Sequence, residues 1–557
     1  MILPACADEV AYYYKNNLDI LLLTGDAYVD HPSFGISIIA QLLKKQGYRV
    51  AIAAQPTKST LRNYPRPNLL VGITAGNVDS ILSNYTANRK IRSDDKYSSG
   101  GSPGFKNNRN RPPRATIVYA NWIKEIFKGI PVVIGGIEAS LRRFAHYDYY
   151  SDKIRKSILA DSKADLLVYG MGESQILEIV KRVEHQGPDF DRSGIPGTCY
   201  LQSSPQGKIL PSYEEVVNNK SGLPQAYKII SQHSHPGYSS ILSQQQDSRY
   251  IICNPPALPV DTVKLDEIYG LPYSRTVHFL FKKVPAFEMI ANSITSHRGC
   301  VGNCSFCSII THQGRIISSR SESSILEEVD IITTLESFHG HITDVGGPSA
   351  DMYGSYCNFN SQIGCGSRRF CLYPKPCLNF INQPDKYFQL LEKILSHPKV
   401  KKVSIGSGLR LDLALRHDQY LKKIITTYTS GMLKVAPEHI APQVLEVMRK
   451  YQPGEFEKFY TRFTKLKKEF KLRIQLVPYF ILSHPGETES DLELLSRYVK
   501  KNRIFSKAIQ DFTPSPLTRS TAIYASGINP DNGQEIYVAK KDKIRKRRRT
   551  KILNKKP

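Results

Sequence analysis

Two blocks of alternating strand-like and helix-like segments constrain the fold of this 557-residue chain more than any other feature. In the first block, apolar runs lie at 19–25, 48–53, 68–73, 130–134 and 165–169, and the last three are each followed by a glycine-containing turn and a helical stretch. This alternation favours a parallel sheet with helices on both faces. It predicts an α/β fold that begins with a doubly wound N-terminal domain over residues 1–190.

The second block has the same alternation and begins near residue 286. Its strand candidates lie at 289–295, 341–345, 402–405, 432–436, 474–481 and 506–512, with helical stretches between them. Six such units predict an open or partial (β/α)6 barrel over residues 286–525. Residues that carry chemistry are then expected at the carboxyl ends of the strands.

Three further segments interrupt or follow these blocks. Residues 84–113 are rich in Ser, Asn, Gly, Arg and Lys and form a long polar insertion, which is either mobile or a functional loop. Residues 191–285 have little sustained periodicity and many Gly, Pro, Ser and Gln residues, so they are interpreted as a connector. Residues 526–557 form a basic C-terminal tail.

The positive charge is concentrated in that tail. Lys and Arg exceed Asp and Glu by 76 − 50 = +26, and residues 540–557 contribute +10 of this, with eleven Lys or Arg against one Asp. Such a run is typical of a solvated, disordered end. The alternative is contact with the phosphates of RNA.

The N-terminus predicts no secretory signal, since it lacks a basic segment and its apolar run soon meets Asp8 and Glu9. No apolar run reaches eighteen residues, which predicts no membrane span. We therefore expect a cytoplasmic protein. A reducing compartment disfavours disulfides, so ten cysteines indicate metal chemistry.

The strongest motif is SHRGCVGNCSFCSI, which directly follows the first barrel strand and places Cys300, Cys304 and Cys307 in the spacing Cys-x3-Cys-x2-Cys. A structural zinc site normally takes four protein ligands. Three thiolates in a glycine-bearing loop are better suited to an iron–sulfur cluster with one open iron. Reduced core thiols and three ligands of a zinc site are the alternatives.

This loop resembles that of the radical S-adenosylmethionine (SAM) superfamily. The resemblance implies a 4Fe-4S cluster held by Cys300, Cys304 and Cys307, whose fourth iron chelates SAM. A one-electron reductant such as flavodoxin or ferredoxin then drives cleavage of SAM to methionine and a 5′-deoxyadenosyl radical, which abstracts hydrogen from a substrate. In that chemistry the cofactors supply the reactivity and the protein positions them.

The same resemblance implies the residues that contact SAM. Gly346 and Gly347 follow the second strand, where the superfamily has a GGE-type loop, although Pro348 here replaces the acidic residue. Ser407 and Arg410 at the third strand end, and Glu438 at the fourth, resemble positions that hold the carboxylate or ribose. Gly486 lies in a late segment similar to the glycine-rich strand near adenine or methionine. Strand-end turns and solvated loop residues are the structural alternatives.

Six segments spread along the chain resemble the YgiQ-type radical SAM proteins, a family without an assigned substrate. The segments are TGDAYVDHPSFG, GGIEASLRRFAHYDYYSD, DSKADLLVYGMGE, THQGRIISSRS, GGPSADMYG and KVAPEH. The N-terminal domain of that family is similar in fold to cobalamin-binding domains. Here Asp30 directly precedes His31, which departs from the Asp-x-His-x-x-Gly cobalt-ligand pattern and argues against cobalamin.

Polar residues of the first block are candidates for a substrate surface, with helix caps and ion pairs as the alternative. They are Tyr28, Asp30, His31, Glu138, Arg142 and His146.

Four further cysteines follow the Gly346–Gly347 turn. Cys357, Cys365, Cys371 and Cys377 are separated by seven, five and five residues, a spacing that matches no familiar zinc ribbon. Arg368, Arg369 and Lys375 among them would favour thiolates. A second iron–sulfur cluster, a structural zinc and unbound thiols remain open for this group.

Together these features predict a radical SAM enzyme. Two other hypotheses remain: a non-catalytic, metal-stabilised RNA-binding or scaffold protein, and a radical enzyme that methylthiolates or methylates RNA or protein.

Overall fold

A computed structural model describes residues 2–105, 108–366, 370–504 and 509–553. The chain divides into two compact units. The first comprises Met1–Leu258 and Glu267–Ala291, and the second comprises Pro259–Asp266 and Asn292–Pro557.

The first unit contains a nine-stranded sheet. Its strands are β1 (Ile20–Thr24), β2 (Val50–Ala54), β3 (Leu70–Thr74), β4 (Val132–Gly135), β5 (Leu166–Val168), β6 (Thr198–Gln202), β7 (Lys208–Ile209), β8 (Leu242–Gln246) and β9 (Arg249–Cys253). Their order is β7-β8-β9-β6-β5-β4-β3-β1-β2. Strands β1 to β5 pair in parallel, and every residue of β1 is buried. The predicted doubly wound domain is confirmed.

Amphipathic helices cover this sheet. In Gly35–Lys45 the buried residues include Ile38, Leu42 and Leu43, which recur at the helical period and therefore share one face. The helices of this unit are Ala7–Tyr14, Gly35–Lys45, Lys58–Leu61, Ser80–Asn84, Ala115–Ile126, Gly136–Leu141, Ile158–Ser162, Glu173–Gln186, Tyr213–Asn218, Gly222–Gln232 and Pro285–Ile290. Helix Thr262–Tyr269 crosses from one unit to the other.

Much of the segment interpreted as a connector extends the first sheet. Strands β6, β8 and β9 pair antiparallel in succession onto β5. The glutamine side chains of strand β8 accept hydrogen bonds from backbone N–H groups of nearby loops. Gln244 Oε1 accepts from Ala145 N at 2.7 Å, and Gln246 Oε1 accepts from Ser157 N at 2.8 Å. Residues 191–258 therefore belong to the first unit rather than to a separate connector.

The polar insertion at 84–113 sends one side chain into the strand ends of the sheet. Arg111 is fully buried, and its guanidinium lies 2.9 Å from Asp26 Oδ1 and 3.2 Å from Asp95 Oδ1. It also donates to Ala75 O at 3.3 Å. Because Asp26 follows β1 and Ala75 follows β3, Arg111 occupies the point where the strand order reverses.

The second unit contains six consecutive strand segments that match the predicted barrel. They are β10 (Ser293–Thr295), β11 (His341–Ile342) continued by β12 (Asp344–Gly346), β13 (Lys402–Val403), β14 (Met432–Glu438), β15 (Gln475–Leu482) and β16 (Ile509–Asp511). The pairs β10–β12, β11–β13, β14–β15 and β15–β16 are parallel, and a Leu409–Val435 bridge joins the third segment to the fourth. The predicted (β/α)6 partial barrel is confirmed, although residues 506–508 of the sixth candidate strand lie outside the described residues.

The barrel helices pack an apolar core against these strands, with Ile325, Val329 and Leu391 fully buried. The helices are Ile309–Gln313, Glu322–Thr334, Pro384–Leu395, Leu411–Ala414, Asp418–Thr426, Pro442–Met448, Glu455–Glu469, Glu489–Lys501, Arg519–Ser526 and Asp542–Leu553. Short ribbons pair Val29–Asp30 with Thr276–Val277, Gly104–Phe105 with Asn108–Arg109, His146–Asp148 with Lys153–Arg155, His297–Arg298 with Ser318–Ser319, and Tyr356–Cys357 with Phe380–Ile381. Across the described ranges, no helix is long and apolar enough to span a membrane.

The basic tail is ordered where the structure describes it, so the expectation of a disordered end is wrong for Asp542–Leu553. Arg545 and Arg548 are fully buried. Arg548 Nη1 lies 2.9 Å from Glu487 Oε2, and Arg545 donates to the carbonyl of Phe512. Composition could not predict this docking, because the acidic and carbonyl partners lie far away in sequence.

Candidate metal centre and cofactor site

The three-cysteine loop follows β10 and is held by its own backbone. Cys300 N donates to Gly314 O at 3.3 Å, and Cys307 N donates to Cys304 O at 3.1 Å. Gly299 has φ +82°, and a Cβ there would lie 1.9 Å from Ile316 O, so only glycine fits. All three thiols are half-buried and unpaired by disulfides.

Two cations lie next to this loop. Arg410 Nη1 is 3.5 Å from Cys304 Sγ. Burial raises the pKa of Cys300, which Arg410 and Lys450 lower in part, and burial raises the pKa of Cys307 to about 12. The loop can therefore hold anionic sulfur most easily on the side facing Arg410 and Lys450.

Arg410 is fixed in place by its neighbours. Its Nη2 and Nε donate to Asp412 at 2.7 and 3.0 Å, and its backbone N donates to Asp351 Oδ2 at 3.0 Å. A Cβ on Gly302 would lie 2.4 Å from Arg410 Nη1. A side chain at residue 302 would therefore displace the guanidinium from the thiol loop.

The predicted glycine turn follows β12 and is tightly enclosed. A Cβ on Gly346 would lie 2.2 Å from Ser407 Oγ, and one on Gly347 would lie 2.7 Å from the His297 ring. Ser407 N donates to Asp344 Oδ1 at 3.0 Å, and its hydroxyl also donates to Asp344. The structure therefore brings the second and third strand ends together, as the barrel fold predicts.

Glu438, at the end of β14, lies 3.4 Å from Lys450 Nζ. Both are mostly buried. Burial raises the pKa of Glu438, and Lys450 partly offsets the rise. Lys450 follows KVAPEH in the chain without a motif of its own, so sequence patterns do not predict its place at the site. His297 is likewise not part of the cysteine motif, and its position three residues before Cys300 is the signal that could have identified it.

Gly486 has a different environment. Its backbone N donates to Tyr537 O at 2.9 Å, and a Cβ there would lie 3.1 Å from Val447. The neighbouring Met448 O accepts from Ser305 N at 2.8 Å, which links this region to the thiol loop through the main chain.

The four further cysteines also lie in the second unit. Cys377 N donates to Cys371 O at 2.7 Å, and Cys357 pairs in register with Phe380. Lys375 is exposed, whereas Arg368 and Arg369 lie outside the described residues. In the described ranges, no three Cys, His, Asp or Glu side chains lie close enough to share one metal ion. Cluster thiolates bind different irons, so this spacing still permits an iron–sulfur cluster.

The polar candidates of the first unit are buried, which favours the structural alternative over an exposed substrate surface. All six are buried: Tyr28, Asp30, His31, Glu138, Arg142 and His146. Glu138 accepts from Ser80 N at 2.9 Å, and Arg142 forms an ion pair with Asp79. Structural hydrogen bonding and ion pairing account for Glu138 and Arg142.

His31 is poorly placed to ligate cobalt. It is fully buried, its Nδ1 accepts from Ser33 N at 3.1 Å, and its Nε2 lies 3.1 Å from Arg275 Nη1. Burial also lowers the pKa of His31 well below its ordinary value. With Arg111 filling the strand ends, this unit does not fit a cobalamin held through His31.

The family is shown by comparison with known proteins. The model of the Radical SAM N-terminal family matches residues 2–293. A UPF0313 protein of Methanocella arvoryzae is 44% identical over 99% of this chain and 92% of its own length. A UPF0313 protein of Thermotoga maritima is 44% identical over 100% and 99% of the two chains. The chain therefore belongs to the UPF0313 family of radical SAM proteins, which confirms the YgiQ-type resemblance and makes it a radical SAM enzyme.

Solved structures show the same fold. The radical SAM methyltransferase TsrM from Kitasatospora setae, with tryptophan substrate and a SAM analog bound, aligns with TM-score 0.50 at 16% identity over 89% of this chain and 74% of that one. TsrM with cobalamin and a [4Fe-4S] cluster bound aligns with TM-score 0.51 at 15% identity over 90% and 74%. At these identities the likeness concerns the fold alone.

Proposed function

We propose that Cys300, Cys304 and Cys307 hold a 4Fe-4S cluster at which this enzyme cleaves SAM. The observation that carries the proposal is the glycine-dependent thiol loop at the end of β10, with Arg410 Nη1 3.5 Å from Cys304 Sγ. Three thiolates leave one of the four irons without a protein ligand. When bound, the cluster supplies an electron that splits SAM into methionine and a 5′-deoxyadenosyl radical.

The chain's own residues prepare this site. Arg410 and Lys450 place positive charge beside the thiolates and stabilise their anionic form. Gly346 and Gly347 occupy a turn in which an added side chain would clash with Ser407 or His297. Val301, Met352 and Leu413 pack together beside Cys300 and exclude water from that side.

We further assign Ser407, Arg410 and Glu438 to contacts with the polar groups of SAM, and Gly486 to its adenine or methionine end. In this arrangement Glu438 is paired with Lys450, so it is oriented before a ligand arrives. A one-electron reductant of the flavodoxin or ferredoxin kind is the proposed partner. RNA contact is left to the exposed basic residues of the tail, since Arg545 and Arg548 are buried.

We propose that the first unit holds no cobalamin. His31 is already engaged by Ser33 and Arg275, and a buried ion pair fills the strand ends. No step of the proposed reaction uses that cofactor.

The test is anaerobic reconstitution with iron and sulfide, followed by incubation with SAM and dithionite. Wild-type protein is expected to form 5′-deoxyadenosine, and Cys304→Ala is expected to form almost none. Cys6→Ala is the matched control, because Cys6 is a half-buried cysteine of the first unit. Normal cleavage by Cys304→Ala would overturn the proposal.

A further inference from the structure

The loop between Cys357 and Cys377 is closed at its base by a short ribbon. Tyr356–Cys357 pairs antiparallel with Phe380–Ile381, and Asn358 N donates to Asn379 O at 2.7 Å. Phe380 N in turn donates to Cys377 O at 3.1 Å. The first and last cysteines of the group are therefore brought to the same end of the loop.

The two middle cysteines turn back toward that end. Cys371 O accepts from Cys377 N at 2.7 Å, which fixes these residues as neighbours. Before Cys365 the chain makes a tight turn, with Gly364 N donating to Asn360 O at 2.8 Å. Cys371 and Cys377 therefore lie at the end of the ribbon that carries Cys357, and Cys365 directly follows the turn.

The group lies beside the first thiol loop. Cys371 and Cys300 pack against the same apolar cluster of Val301, Met352, Leu372 and Leu413. On another side, Arg449 lies over the Phe370 ring at 4.4 Å and Gln452 donates to the carbonyl of Pro374. The loop is therefore anchored on the barrel, next to the segment that carries Lys450.

The chemistry of the donor set indicates the ligand. Four half-buried thiols without disulfides gather within one loop, although neighbouring thiolates repel one another. A bound cation offsets that repulsion. As in the first loop, the described side chains do not converge within the reach of a single ion, which favours a cluster over a lone zinc.

We propose that Cys357, Cys365, Cys371 and Cys377 hold a second iron–sulfur cluster of the 4Fe-4S kind. Four thiolates give every iron a protein ligand, so this cluster has no position open for SAM. The proposal is independent of the cleavage reaction, because it concerns thiols outside the SAM site.

The test counts metal in the full chain after anaerobic reconstitution. Wild-type protein is expected to hold about eight iron atoms and as much sulfide, whereas Cys300→Ala/Cys304→Ala/Cys307→Ala is expected to retain about four. The electron paramagnetic resonance (EPR) signal of the reduced triple variant is expected to stay unchanged when SAM is added. Adding Cys371→Ala and Cys377→Ala to the triple variant should remove the remaining iron.

A second variant keeps the test decisive if the triple variant fails to fold. Cys371→Ala/Cys377→Ala in the otherwise intact chain should hold about four irons and keep the SAM-sensitive signal. Cys6→Ala, the control, should keep the full iron content. Zinc in place of iron, no iron in the folded triple variant, or a SAM-dependent change in its signal would overturn the proposal.

Discussion

Two cationic residues near Cys304 determine how much negative charge the first thiol loop can stabilise. Arg410 is held by Asp412 and lies 3.5 Å from Cys304 Sγ, while Lys450 is held 3.4 Å from Glu438. These cations have fixed positions in a mostly buried site, so they are screened less than surface charges are. Their influence should be largest on the more negative, reduced form of a bound cluster.

We predict that Lys450→Met lowers the midpoint potential of the first cluster. Loss of the cation destabilises the reduced state more than the oxidised one, and it leaves the Glu438 carboxyl without its partner. The measurement is a redox titration followed by EPR. Lys450→Arg keeps the charge and should have a potential near the wild-type value; equal potentials in all three proteins would contradict the prediction.

Asp351 gives a pH prediction at the same scale. Burial raises the pKa of Asp351 from 3.8 to about 7, although Ser349 donates a hydrogen bond to it. Between these pH values the folded chain keeps a proton that the unfolded chain has lost, so this residue makes the free energy of unfolding fall as pH rises from about 4 to about 7.

We therefore expect the free energy of unfolding to depend less on pH in Asp351→Asn than in the wild-type protein. The measurement is the urea-unfolding midpoint of each protein at pH 4.5 and at pH 7.5. The wild-type protein should lose more stability between these two pH values than Asp351→Asn does. Parallel pH profiles for the two proteins would be inconsistent with a raised pKa at Asp351.

At the scale of elements, the glycine turn at the end of β12 has no room for larger side chains, because Ser407 and His297 pack against it. We predict that Gly347→Ala weakens SAM binding at least about tenfold, or about 1.4 kcal/mol, since its Cβ would lie 2.7 Å from His297. Gly408→Ala is the matched control, because a Cβ there meets nothing within 4 Å. Calorimetric titration of SAM into iron-loaded protein measures both; equal affinities would show that the turn does not contact the ligand.

A second prediction at this scale concerns Arg111 in the insertion at 84–113. Arg111→Met should destabilise the protein by about 3 kcal/mol, because it leaves Asp26 and Asp95 buried without their cation. Lys58→Met is the control: it breaks an exposed pair with Glu125 and should change the unfolding midpoint little. Similar unfolding curves for both variants would mean that the buried ion pairs of Arg111 do not stabilise the fold.

The sequence predicted the elements whose signal is local. Strands β1 and β15 consist mostly of apolar residues, and the cysteine spacing indicates the thiol loop without any tertiary information. Strand β8 was missed because its buried glutamines look like loop residues. The buried Arg111 and Arg548 were missed because their partners come from distant segments, which composition cannot reveal.

At the scale of the whole molecule, the chain joins a doubly wound unit to a partial barrel, and the proposed chemistry lies in the barrel unit. The first unit shares its fold with proteins such as TsrM, yet its strand ends are occupied by Arg111 rather than left open. The fold class alone would suggest a cobalamin, whereas our proposal that this unit holds none depends on the contacts of His31 and Arg111. Function follows the residues at each site more closely than it follows the fold.

The central claim is that the cluster at Cys300, Cys304 and Cys307 has one iron open to SAM. The most direct measurement is electron–nuclear double resonance on the reduced protein with SAM labelled with ¹⁵N at its amino group and ¹⁷O at its carboxylate. The account predicts hyperfine coupling of both labels to the cluster, and its loss in Cys304→Ala. A fully assembled cluster with no coupling to either label would contradict it.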